Sequence, residues 1–183
     1  DLECINPRSL KSIGFNVFSS YAIKNYPTAE AYFRNLLTKD DVFDITPYRL
    51  KYRGLYMYIN IVMDLRKEYE IFLFEDNQYI NYRRLAKAGV TKQMIEDFCY
   101  EVNSIVPSNI YFTMQSLRNN GFSHELDAVG FDDIFYAGIL AASSLFSYQR
   151  VYGNIVLYSG DNNKKFSTKT FIQSMLEEYE DID

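Results

Sequence analysis

The stretch 79-YINYRRLAKAGVTKQMIEDF-98 contains a short pattern that the chain uses three times. A β-prone residue and a polar residue are followed by Leu-x-x-x-Gly and an apolar residue. The pattern recurs in 4-CINPRSLKSIGFN-16 and in 111-YFTMQSLRNNGFS-123, each time with different charges around it. Leu at that position suits the buried side of a short helix, and Gly suits a left-handed helix exit that ends it in a tight turn. The copies therefore point to a repeated architecture before they point to any activity.

Outward from this pattern, residues 5–16 align with 112–123 without a gap. Ser9-Leu10 matches Ser116-Leu117, Lys11 matches Arg118, and Gly14-Phe15 matches Gly121-Phe122. Weaker matches continue to 55-LYMYI-59 against 155-IVLYS-159, so roughly fifty residues share a pattern and an internal duplication is expected. The middle copy fits the motif but lacks the tail, and reads either as a shortened repeat or as a chance match in a linking element.

The last copy is the easiest to read. In 91-TKQMIEDFCYEVNSIV-106, Met94, Ile95, Phe98, Val102 and Ile105 recur at helical spacing behind a Thr N-cap, with Pro107 as the stop. Next come a short strand at 110-IYFT-113 and a two-turn helix at 114-MQSLRNNG-121. A third helix is expected over 131-FDDIFYAGILAASSL-145, opening on Asp132-Asp133 at the positive end of its dipole. Two alternating strands, 146-FSYQRV-151 and 155-IVLYSG-160, close on a Gly-containing turn.

The order helix, strand, helix, helix, strand, strand resembles the winged helix-turn-helix superfamily over 91–160, and over 4–60 with the first helix missing. Residues 83-RRLAKAGVTKQMIEDF-98 look like a general helix-turn-helix: Leu85, Gly89, Val90 and Ile95 match its packing and turn positions, while Leu85 stands where the family often has a small residue. The expected fold class is α+β, helix-rich, built of tandem winged-helix-like units. Its divisions are an N-terminal repeat at 1–60, a basic connecting segment at 61–90, a C-terminal repeat at 91–166 and an amphipathic helix at 167–183. Across 49-RLKYR-53, Arg49, Lys51 and Arg53 alternate as on a strand and read as wing bases, touching a DNA backbone or guarding a sheet edge.

Charge separates the copies. Lys and Arg number eight against six acids over 1–60, six against eight over 61–110, and five against ten over 111–183. The window 77–95 nevertheless holds Arg83, Arg84, Lys87 and Lys92 and no acid, which makes these four the candidate nucleic-acid contacts. The plainer reading is a solvated helix face. Asp132 and Asp133 would repel phosphates, so the helix they open is expected to pack or to meet a protein. The resemblance implies the same, since winged helices without a basic recognition face often bind proteins.

A search for catalytic groups finds no candidate. His124 is the only histidine and suits a loop or capping role; Cys4 and Cys99 stand in no metal-binding spacing, and no phosphate-cradling glycine motif occurs. No catalytic, cofactor-binding or metal-ligating residue is assigned. The chain has 17 Tyr and 14 Phe but no Trp. These rings could stack on single strands, although most are expected in the core. No apolar run nears the ~18–20 residues of a membrane span, and no signal-peptide order is present. A soluble, cytoplasmic protein is expected, its Asp1 start suggesting a fragment or processed chain. It is read as a non-enzymatic DNA-binding or transcription-associated protein, or as a protein-interaction scaffold of the same fold. The expected partner is duplex DNA at the basic middle segment or a protein at the acidic C-terminal repeat, with no membrane.

Overall fold

The computed structural model describes residues 6–18, 21–160 and 167–180, the last four of these as backbone only. Among them the chain forms nine α-helices and three small antiparallel sheets, a mixed α+β fold. It begins with α1 (Pro7–Ser12), a two-stranded ribbon β1 (Phe15–Val17) and β2 (Ala22–Lys24), and α2 (Ala29–Thr38). Next come β3 (Val42–Asp44), α3 (Thr46–Lys51), α4 (Tyr56–Lys67), β4 (Ile71–Glu75) and β5 (Gln78–Asn81). Then follow α5 (Tyr82–Lys87), α6 (Lys92–Ile105), β6 (Tyr111–Phe112) and α7 (Met114–Asn119). A 3-10 turn at Glu125–Val129 leads to α8 (Asp133–Ala142), β7 (Ser147–Val151), β8 (Asn154–Tyr158) and α9 (Thr168–Glu180).

The thrice-used pattern has one local structure. Asn6, Asn81 and Thr113 each cap a six-residue helix, accepting a hydrogen bond from Arg8 N at 2.9 Å, Arg83 N at 3.0 Å and Ser116 N at 3.1 Å. The glycine after each helix is left-handed, with φ of 88° at Gly14, 89° at Gly89 and 84° at Gly121. In the latter two copies the next N–H returns to the leucine carbonyl, Val90 to Leu85 and Phe122 to Leu117, both at 3.1 Å. Thr91 lies after the middle turn and caps α6, accepting from Met94 N at 3.1 Å.

The two three-stranded sheets share a topology. Their orders are β3-β5-β4 and β6-β8-β7, so in each the last strand in sequence lies in the middle. Ile80 pairs with both Val42 and Phe72, and Leu157 with both Phe112 and Tyr148. Residues 29–81 run helix, strand, helix, helix, strand, strand, and 92–158 repeat that order with the 3-10 turn inserted.

The duplication expected from the sequence alignment is therefore not reproduced, and the shared element order lies elsewhere. Residues 5–59 and 112–159 have different element orders, and the stretch whose order matches 92–158 is 29–81. Arg49 and Lys51 lie on α3 and Arg53 on the turn after it, rather than along a strand, and 55–59 leads into α4 rather than forming a wing. Alternation over five residues is weaker than the longer helical spacing of Tyr58, Ile61 and Leu65, which are all buried on one face of α4. The expected division at 60/61 falls inside one sheet, because β3 pairs with β5 across it.

A single core joins the two stretches. In α8 every residue from Phe135 to Ala141 is buried, and the helix packs against both β4 and β8. Phe135 lies 5.9 Å from Phe72 by ring centroids. Gly138 permits the approach, since a Cβ there would sit 3.3 Å from both the Cβ and the carbonyl oxygen of Leu73. The helix expected over 131–145 is shorter than anticipated, and its residues pack inward on more than one side. At the C-terminus, α9 docks through Phe171, whose ring is 5.2 Å from that of Tyr111, while Ile172 and Leu176 stay exposed.

Candidate functional site

Asn81 fixes the start of α5 and thereby the placement of the basic window. It is the only buried polar residue described, and its Nδ2 donates to the Thr38 carbonyl at 2.9 Å while its Oδ1 caps α5. This turns Arg83 and Lys87 toward Asp41, next to β3. Arg83 Nη2 lies 2.8 Å and Lys87 Nζ 3.2 Å from opposite oxygens of that carboxylate. The two cations, Arg83 first, hold the exposed Asp41 carboxyl below its ordinary value. Lys92 Nζ reaches Glu70 at 2.6 Å and the Glu68 carbonyl at 2.8 Å, and lies 5.1 Å from the Tyr82 ring. Arg84 is exposed and has no carboxylate partner among the described residues. The four bases are thus divided between two acids and open solvent, and an acid-free window of sequence becomes a locally compensated surface.

A second basic segment is uncompensated. Along α3, its turn and α4 lie Arg49, Lys51, Arg53, Arg66 and Lys67, against Asp64 as the sole acid of 46–67. None of the five has a carboxylate within ion-pair distance among the described residues. Asp44, which precedes α3, accepts the Thr46 N–H at 2.7 Å. Arg66 instead donates to the Tyr148 hydroxyl at 3.2 Å, with its guanidinium 5.7 Å from that ring. On the exposed side of α4 stand Tyr56, Met57, Ile59 and Met63. The sequence signal for this surface is the ratio of five bases to one acid, hidden by reading 49–53 as a strand and by dividing the chain at 60.

The remaining chemistry-bearing residues have structural roles. His124 Nδ1 accepts the Leu126 N–H at 3.0 Å and caps the 3-10 turn, as the sequence suggested, while its Nε2 lies 3.5 Å from Glu101. Cys99 is a buried free thiol pushed up to about 12 by burial, far from a reactive thiolate. Cys4 lies outside the described residues. Arg118 pairs with Asp127 at 2.6 Å and lies 3.5 Å from Asp133, which ties the start of α8 to α7. No group of three or more His, Cys, Asp or Glu suited to a metal ion occurs among the described residues, nor does a helix long and apolar enough to cross a membrane.

Neither a family model, nor a curated protein, nor a solved structure matches this chain.

Proposed function

We propose that the protein is a non-enzymatic duplex-DNA-binding module of two tandem winged-helix-like units, spanning 29–81 and 92–158. The shared element order and the central position of β5 and β8 support the winged-helix reading. In that reading α3 and α4 are the helix-turn-helix of the first unit and α4 is its recognition helix. The observation that carries the function is the set of unpaired bases on this one helix-turn-helix, Arg49, Lys51, Arg53, Arg66 and Lys67. Elsewhere, Arg83, Lys87 and Lys92 are neutralised by neighbours, which leaves Arg84 as the one of the four window bases without a carboxylate partner among the described residues. Exposed charges act over roughly one Debye length, about 8–10 Å at physiological salt, so this local excess outweighs the net charge of −5. The corresponding helix of the second unit, α8, is buried and serves packing.

The test is fluorescence anisotropy with random-sequence duplex over a salt series. Binding should weaken linearly on a log-log plot, and replacing Lys51 and Arg53 together by Gln should reduce the slope by about two units. The Arg84→Ala, Lys87→Ala pair should cost about one unit or less, because Lys87 already shares Asp41. The exposed apolar residues of α4 favour a second reading, a protein-interaction scaffold of the same fold. Absence of DNA association at low salt would overturn the first reading.

A further inference from the structure

Arginines from three elements line one cleft. Arg49 comes from α3, Arg66 from α4 and Arg150 from β7, and all three line a space of about 330 Å3 between α4 and the β7–β8 hairpin. No carboxylate lines it among the described residues. Asp76 stands 3.7 Å from Arg150 but is 78% exposed, and Asp44, whose carboxylate feels the charge of Arg49, is engaged by the Thr46 N–H. An incoming anion therefore meets three guanidinium donors and no carboxylate among the residues that line the space.

The rest of the lining is largely apolar and aromatic. Tyr148 offers a ring already in contact with Arg66, and Tyr79, Ile59 and Met63 extend the surface. Tyr58 also lines the cleft. It is 4% exposed, and its hydroxyl has no hydrogen-bond partner. Burial pushes that phenol up to about 12, so at neutral pH it remains an O–H donor lacking an acceptor. A volume of this size is at the lower end of small-molecule sites.

We propose that this cleft binds a ligand of mononucleotide size in which a planar ring carries a phosphate. The guanidinium groups hold the phosphate, which suits their planar donor geometry, and the tyrosines face the ring. The site shares Arg49 and Arg66 with the proposed duplex surface, whereas Lys51 and Arg53 lie outside its lining.

Isothermal titration of the full chain at low salt with adenosine monophosphate, adenosine and inorganic phosphate tests this. Adenosine monophosphate should saturate one site, with phosphate at least about tenfold weaker and adenosine weaker still. Arg66→Gln and Arg150→Gln should each weaken it about tenfold, as expected for one charge-assisted hydrogen bond. Tyr58→Phe should weaken binding yet raise the melting temperature, a combination that a purely structural hydroxyl would not produce. Should Arg66→Gln unfold, Arg150→Gln on the exposed hairpin still decides the matter. Lys51→Gln with Arg53→Gln should leave the affinity unchanged, which separates this site from the duplex surface. No saturation at millimolar nucleotide, adenosine or phosphate binding as tightly as the nucleotide, or full affinity in Arg150→Gln would each overturn the proposal.

Discussion

Asn81 supplies both a cap and a tether. Its carbonyl oxygen accepts the Arg83 N–H while its amide donates to the Thr38 carbonyl at the end of α2. Replacement by Leu would leave both backbone groups short of a partner, and a loss of about 1–3 kcal/mol is expected in urea denaturation. Asn81→Asp keeps the acceptor but not the donor, so it should retain part of that stability. Asp127 gives the pH counterpart. Burial alone would raise its carboxyl, but Arg118 and the His124 N–H outweigh burial and hold it below its ordinary value. A carboxyl depressed on folding contributes stability that is present above its unfolded value, about 4, and is lost as pH falls through the folded value. Asp127→Asn should therefore destabilise the protein at neutral pH and flatten the acid limb of its stability profile. Asn81 was recognisable in sequence only as the polar member of a motif. Its reach to Thr38 was not, because the two residues are far apart in sequence and brought together by the fold.

The repeated capped helix has one geometry and three degrees of burial, and the leucines are where this can be measured. Leu85 is 1% exposed and Leu117 is 7%, whereas α1, which carries Leu10, has no buried residue. Leu85→Ala should cost about 2–5 kcal/mol, and Leu10→Ala well under half of that. Gly89→Ala should cost about 1 kcal/mol through its left-handed backbone alone, since no atom crowds an added Cβ. Gly138 is the opposite case. Its backbone is ordinary helix and the constraint is space, so Gly138→Val should push α8 from β4 and cost about 1–3 kcal/mol. Calorimetry of these four variants gives the order directly.

Because α8 packs on both three-stranded sheets, neither stretch can lose it and keep its core. The molecule should melt in one calorimetric transition, and two separable transitions would show that 29–81 and 92–158 are energetically independent. The same packing determines where binding can occur. The helix expected over 131–145 is consumed by the core, whereas the surface left to α4 carries unpaired bases and exposed apolar side chains.

By itself the sequence determined whatever depends on neighbours along the chain. The capped helices of the recurring motif, the Thr91 cap, the helical face of α6, the β7–β8 hairpin and the capping role of His124 are all local. Their hydrogen bonds close within a few residues, and their periodicities were readable without knowledge of the fold. Tertiary structure decided which segments share an element and strand order, because the pairing of β3 with β5 and the central position of β8 are contacts between distant residues. It also decided the electrostatics. Asp41 and Glu70 lie outside the acid-free window of 77–95, yet folding brings them to Arg83, Lys87 and Lys92, while Arg49, Lys51, Arg53, Arg66 and Lys67 receive no such partners. Charge acts through space over a few ångströms, so the distribution of free cations depends on the fold.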